Sequence, residues 1–302
     1  MSLYRIFDTY FRCDMELPFR SVADKCLKEN DDIVNIVYND KYESDKTNVH
    51  IAYSDSEADL FLTCYARYLI NFKNNEITVF AKSINDFIST FFNIPLSVFF
   101  LHRGKILLHS SSIVYDKKLY PFVADKGVGK STLTSLLIKK GASFFSDDTL
   151  LLTLENSSLI AHKSPDIIKL TDKTYNIIIN DDSFDSHDKN IANKAYINPK
   201  KICEYHDITE CMNFQSMYKL ERYKGNKILN YKYLSPFSKK TLFIGQIVGI
   251  RHFNTKLVKM AMSLTYKINF SNIDLYVTKI PSTLEEIANC RLDEFTVASP
   301  VS

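Results

Sequence analysis

The chain has 302 residues, 45% of them hydrophobic and 24% charged, with a formal net charge of +3. That is ample for a buried core in one large domain or two smaller ones, and so slight a charge excess gives no reason to invoke a nucleic acid or an acidic membrane as partner. Six cysteines (Cys13, Cys26, Cys64, Cys203, Cys211 and Cys290) lie without a CxxC pair or zinc-like spacing, the pattern of reduced thiols in a cytosolic chain. The opening MSLYRIFDTYFRCDME carries charges throughout and lacks a signal-peptide apolar run. The most apolar stretch, Phe91 to Leu101, contains Asn93 and Pro95 and is too short to span a bilayer. The expectation is a cytoplasmic protein.

In chain order, residues 3–20 read as a strand, LYRIFDTYFRCD, followed by a turn at Pro18. Asp32–Asp40 reads as a short strand within a polar stretch. Residues 57–72 fit helix or strand, because aromatic and β-branched residues leave the periodicity open. Residues 77–83 read as a strand. From Ile84 to Leu101 the spacing predicts one long helix, broken or kinked near Pro95.

From residue 105 the pattern sharpens. It predicts a strand over 105–115, a turn at Asp116–Lys118, a strand over 119–124, a Gly-containing loop, a helix over 130–140 and a strand around 144–153. Gly141 ends the helix, and Leu133, Leu136 and Leu137 give it one apolar face. Two strands so close before the loop imply a partly antiparallel sheet. Residues 171–200, with Asp181, Asp182, Asp185 and Asp188, read as a long mobile polar loop. The expected last helix runs from Ser282 to about Glu294, with Ser282 and Glu285 as a capping box.

The strongest chemical signal is Ala124-Asp125-Lys126-Gly127-Val128-Gly129-Lys130-Ser131. The P-loop pattern is G-x-x-x-x-G-K-[ST], and here Ala stands at its first glycine. Gly127 and Gly129 let backbone N–H groups turn toward a phosphate chain, and the following helix presents its positive end to that anion. Lys130 reaches β- and γ-phosphates, the Ser131 hydroxyl suits Mg²⁺, and Thr132 completes the set. Ala at position 124 is tolerated at a strand exit if φ is negative.

Asp147 and Asp148 follow at the next strand. Phosphoryl transfer needs one carboxylate for Mg²⁺ and, with an alcohol acceptor, another for its proton. Neighbours on a regular strand face opposite ways, so the pair can work together only where the chain bends. An isolated Asp-Asp is usually a solvated turn; the loop, helix and Gly turn before it favour the catalytic reading. His109, after an apolar run and before three serines, is the third candidate, although a lone His beside such a run is more often structural. The other six histidines show no metal-ligand spacing.

The order LHSSSIV, P-loop, helix, Gly and SDD resembles the catalytic domain of HPr kinase/phosphorylase, over about residues 105–153. That family carries G-D-S-G-V-G-K-S and A-D-D where this chain has ADKGVGKS at 124–131 and SDD at 146–148. The whole layout is more similar to HPr-kinase-related serine kinases of peptide natural-product clusters, the lasso-peptide kinases among them. They share the opening Y-R strand, the proline near residue 20, the L-H-[AS]-[AS] segment and a P-x-x-[KR]-L stretch. Pro165 to Leu170 resembles the last of these, with one more residue between proline and base.

The resemblance implies an α/β fold: an HPr-kinase-like P-loop core (mixed sheet with flanking helices) over residues 96–302, with a smaller N-terminal α+β region over 1–95. It implies ATP or GTP with Mg²⁺, held by Asp125, Lys126, Gly127, Val128, Gly129, Lys130, Ser131 and Thr132. Asp147 would help Ser131 with the metal, Asp148 would act as base toward a serine hydroxyl, and His109 would support that base. Lys169, and less so Lys194, would meet charge on the transferring group. The implied acceptor is a serine-containing peptide, then an HPr-like small protein, then a hydroxylated metabolite. No nucleic acid or membrane partner is expected, and a homo-oligomer is compatible with the layout. The E-x-x-G-x-x-N signature of phosphorylase activity is absent, implying a kinase without efficient reversal. From another class, a nucleotide-gated binding module that never transfers phosphate stands as the alternative.

Overall fold

The computed structural model describes residues 1–302 except 30, 43–47, 64, 180–193, 205–207, 234 and 296–302. The first seven strands are β1 (Ser2–Ile6), β2 (Thr9–Cys13), β3 (Ile33–Asn39), β4 (Val49–Tyr53), β5 (Glu57–Leu62), β6 (Ala66–Asn71) and β7 (Glu76–Ala81). They form one sheet in the order β1-β2-β3-β7-β6-β5-β4, parallel at β2–β3 and β3–β7 and antiparallel elsewhere. Period-two alternation puts Phe11, Val34, Ile36, Leu60, Tyr68 and Val79 on the buried face.

One expectation is corrected here. The single strand expected at the N-terminus is a hairpin, because Phe7 takes φ +57° and reverses the chain. Residues 57–72, which fit helix or strand, are strand: a hairpin of β5 and β6 turned at Thr63 with φ +58°. Neither turn carries a glycine, so neither shows in the sequence.

Helices α1 (Ile84–Phe91) and α2 (Ile94–His102) cover that sheet, bent by 50° just before Pro95. Ser83 caps α1 by accepting from Asp86 N–H. Every residue of α2 from Ile94 to Leu101 is buried, the mark of a helix packed all round. Phe11 meets Phe91 and Phe99 at ring distances of 6.0 and 5.8 Å. The larger apolar core is continuous across residue 95, from Phe11 and Tyr68 through α2 to Leu107, Leu151 and Phe243. No single described helix is long and apolar enough to cross a membrane, although α1 and α2 together have the length and composition.

The rest comprises β8 (Ile106–Leu108), β9 (Ser111–Tyr115), β10 (Lys118–Val123), α3 (Lys130–Lys139), β11 (Ser143–Ser146), β12 (Leu150–Glu155), β13 (Ser158–His162), β14 (Ile168–Thr171) and α4 (Asp172–Ile179). It continues with β15 (Lys194–Ile197), β16 (Cys211–Asn213), β17 (Ser216–Tyr223), β18 (Leu229–Tyr233), α5 (Pro236–Gly245), α6 (Thr255–Tyr266), β19 (Asp274–Pro281) and α7 (Leu284–Asn289). The fold is α/β.

A mixed six-stranded sheet runs β11-β9-β10-β17-β19-β18, with β10, β17 and β19 mutually parallel. The pairing of β10 with β17 covers Phe122 and Val123, after Pro121, which has no N–H to give a ladder. One face of this sheet, with Ile113, Phe122, Phe144 and Leu220, packs on the Leu133, Leu136 and Leu137 stripe of α3. The other, with Val114, Phe145, Met217 and Leu275, joins the larger core.

A four-stranded sheet runs β16-β13-β12-β8. The strands expected over 105–115 and 144–153 are therefore each two strands. β8 and β12 pair in the smaller sheet, while β9 and β11 pair in the larger. The chain crosses between sheets at 109–110 and again at 147–149.

The long loop expected over 171–200 is also corrected. Its first part is α4, which buries Thr174 and Ile178, and its last part includes β15, paired with β14. Asp181, Asp182, Asp185 and Asp188 lie outside the described residues. The last helix starts one residue later than expected: Thr283 and Glu286 form the capping box, and Ser282 Oγ instead donates to Tyr223 O. The described cysteines are free thiols.

Candidate nucleotide and phosphoryl-transfer site

The loop after β10 turns on two left-handed residues, Gly127 at φ +87° and Gly129 at φ +112°, a conformation that costs glycine nothing. Ala124 ends the strand buried and without positive φ, which is why a methyl group is tolerated there. Asp125 and Lys126 are exposed at the loop tip. α3 begins at Lys130, so its first N–H groups face the loop. Thr132 Oγ1 lies 3.2 Å from Thr174 Oγ1, tying α3 to α4.

Lys130 folds back into the site. Its Nζ donates to Ala124 O and to His109 Nε2, each at 3.0 Å. Burial pulls its pKa down, against the pull of Asp148 and Asp147. An ammonium has only donors, so His109 Nε2 is the acceptor and Nδ1 carries the ring proton. That Nδ1–H donates to the Asp148 carbonyl at 2.9 Å, with carboxylate Oδ1 at 3.5 Å. Burial lowers the His109 pKa below its ordinary value, although Asp148 opposes this. The neutral ring fits both bonds.

Asp148 sits at φ +67° where the chain leaves β11 for β12. This bend lets two adjacent carboxylates serve one site. Asp147 receives Ser111 Oγ–H on Oδ1 at 2.6 Å and Lys169 N–H on Oδ2 at 2.9 Å. Asp148 Oδ2 receives Lys169 Nζ at 2.7 Å. Burial opposes ionisation of Asp148, but Lys169 and then His109 overcome it and hold the carboxyl well below the usual range. Burial likewise opposes the Lys169 charge, and Asp148 raises its pKa on balance. Lys194 pairs with Thr171 in the neighbouring strand, and its charge adds to the field on Asp148 and Lys130.

The structure thus brings Lys130, His109, Asp147, Asp148 and Lys169 into one connected chain. Sequence reasoning gave no role to Ser111, which also bonds Thr134 of α3 at 2.8 Å. The adjacent Ser112 and Ser146 hydroxyls hydrogen-bond across the strand pair. Serines repeated on a buried strand beside the acidic turn were the available signal. Nor did it find the N-terminal contribution: a small cavity behind the acidic pair is walled by Phe7, Phe92, Pro165, Ile167 and Tyr196. Tyr196 also reaches Ser89 of α1 at 3.3 Å and lies under Lys169 Nζ, 5.7 Å from the ring centre.

The donors suit Mg²⁺, which takes oxygen ligands. Among the described residues Ser131 Oγ has no hydrogen-bond partner, and each oxygen of Asp147 accepts one bond, leaving lone pairs free. No cluster of three or more His, Cys, Asp or Glu that could hold a metal ion occurs among the described residues.

No protein-family model matches the chain, and no curated protein does. Among solved structures it is similar to the Hpr(Ser) kinase/phosphatase from Coxiella burnetii, at 15% identity over 58% of this chain and 77% of that one, with a TM-score of 0.29. A likeness of that size carries no argument.

Proposed function

We propose that this chain is a Mg²⁺-dependent P-loop kinase that moves the terminal phosphoryl group of ATP (or GTP) to a serine hydroxyl. The observation that supports it best is the continuous chain Lys130–His109–Asp148–Lys169, which links the phosphate-loop lysine to a second carboxylate beyond the one a metal needs. Resemblance to HPr-kinase-related enzymes of peptide clusters makes a ribosomally made peptide the first acceptor class and a small HPr-like protein the second.

In this reading the Gly127–Lys130 backbone and the Lys130 amine hold the β- and γ-phosphates. Mg²⁺ would neutralise charge on those oxygens, with Ser131 and Asp147 as its protein ligands. The serine oxygen bonds to the γ-phosphorus, the bond to the β–γ bridging oxygen breaks, and the serine proton passes to Asp148. Strong pairing with Lys169 makes Asp148 a weak base. That suffices where the transition state is loose and little proton transfer is needed early. His109, bonded to the Asp148 carbonyl, keeps the turn and Lys130 in register.

One observation favours the binding-module alternative: Asp148 Oδ2 is already held by Lys169. Transfer assays separate the two. With γ-labelled ATP, Mg²⁺ and serine-containing peptides, label should move to serine and be lost in Lys130→Ala. Tight ATP binding with no transfer or hydrolysis under any acceptor would leave only the module.

A further inference from the structure

A second cation stands at the phosphate loop and lies outside the P-loop pattern. β17 runs parallel to β10 with Val123 opposite Lys219, so the end of β17 emerges beside the loop that leaves β10. Arg222 occupies that end. Its Nε donates to Val128 O at 2.7 Å, and its Nη1 donates to Pro281 O at 2.7 Å and Ser282 O at 3.3 Å. One side chain thus ties the loop to the ends of two neighbouring parallel strands. That is the carboxyl edge of the sheet, where open α/β folds take their ligands.

The third nitrogen is placed differently. Among the described residues Nη2 has no acceptor. It lies 2.6 Å from the point a Cβ on Gly129 would occupy. The bare backbone of Gly129 therefore does two things: it adopts φ +112°, and it lets a guanidinium approach the residue before Lys130. Arg222 is exposed, and none of its described partners is a carboxylate. Carbonyl oxygens fix the plane of the group without neutralising its charge. A phosphate oxygen would do so, and a guanidinium held in plane is well suited to it.

We infer that Arg222 is a phosphate ligand of the bound nucleotide, donating from Nη2 to the polyphosphate chain while Nε and Nη1 hold the guanidinium against the loop and β19. This rests on the nucleotide reading above and deepens it. The residue acts on affinity for phosphate, separately from the proton transfer assigned to Asp148.

The test is calorimetry of the full chain with ATP, inorganic tripolyphosphate and adenosine, at two salt concentrations, alongside thermal melting. Arg222→Gln should weaken ATP and tripolyphosphate by roughly 10- to 100-fold, the range for a charged hydrogen bond. Adenosine should bind as to the wild type, and the salt dependence of ATP binding should flatten. Arg222→Lys should recover part of the loss. Wild-type binding of all three ligands by Arg222→Gln would make Arg222 a brace only, and equal losses for all three would mean loop collapse; either overturns the inference. If Arg222→Gln does not fold, Arg222→Lys decides: a loss confined to the phosphate-bearing ligands supports the role, and no loss or a uniform one overturns it. The underlying reading fails distinguishably, by wild-type protein that does not bind ATP or by Lys130→Ala that binds it unchanged, and the inference then falls with it.

Discussion

Lys169 Nζ lies 2.7 Å from Asp148 Oδ2, while the backbone N–H of Lys169 lies 2.9 Å from Asp147 Oδ2. A single residue on β14 therefore grips both carboxylates, one through its side chain and one through its main chain. Substitution can release the first without the second. Lys169→Met should lower kcat by about 10²-fold, as loss of a positioned charge does, while Mg²⁺ dependence and ATP affinity change little. Steady-state kinetics at varied Mg²⁺ check this. A parallel rise in the Mg²⁺ requirement would mean that the side chain also supports Asp147.

The two carboxylates should separate by function. Asp148→Asn should keep nucleotide binding and reduce transfer by roughly 10²–10⁴-fold, the contribution of a positioned base. Asp147→Asn should weaken the Mg²⁺ response instead. Calorimetry with and without Mg²⁺, beside transfer assays, distinguishes them. Exchanged phenotypes would exchange the roles, and two silent variants would leave the pair a structural element only.

Ser111→Ala removes the donor to Asp147 Oδ1 and the link to Thr134. Loss of a buried hydrogen bond to a charged group should cost about 1–3 kcal/mol of stability. As a positioning residue, Ser111 should also show in metal response: Mg²⁺ needed for half-maximal transfer rises while the KM for ATP holds. Ser111→Thr, which keeps the hydroxyl, should restore the Mg²⁺ response if the strand admits the methyl group.

Acid should weaken the protein in two stages. His109 has a folded pKa below its unfolded value of about 6.5, so the unfolded chain takes up the proton first and stability declines as pH falls below that value. Asp148 is likewise depressed. Its contribution is present above the ordinary carboxylate range near 4 and is lost as pH falls through and below it. Melting temperature against pH for wild type and His109→Asn tests the assignment. The variant should lose the His109 share of the upper stage, leaving that of His102 and His162, whose pKa values burial also lowers, and should retain the lower stage. Protonation also turns His109 Nε2 into a donor facing Lys130, so transfer activity should fall as pH drops through the folded pKa, at the lower end of that upper window.

Much of the unit from β10 through α3 is legible because its signals are local. Gly127, Gly129 and Gly141 each take the positive φ that their places in the pattern imply, and the leucine stripe of α3 follows its period. The turns at Phe7 and Thr63 are not legible, because bulky and β-branched residues seldom adopt that conformation and their neighbours gave no warning. The capping box slipped by one because Ser282-Thr283 and Glu285-Glu286 offer two equal registers. β15 escaped notice because its alternation, Ala195 and Ile197 inward, is only four residues long amid polar sequence. Arg222 was invisible for another reason. In SMYKLERYKG nothing distinguishes it from Lys219 or Lys224, and only parallel pairing with β10 brings it beside the loop.

His109 and Asp148 stand where two antiparallel neighbours, β8–β9 and β11–β12, step together from the smaller sheet into the larger. The two steps lie side by side, with the His109–Asp148 bond across them. The bond therefore depends on the two crossings keeping matched lengths. An added residue in one crossing breaks that match. It would offset one strand of the couple against the other and part the imidazole from the turn, so these few positions should be among the least tolerant of a length change anywhere in the chain.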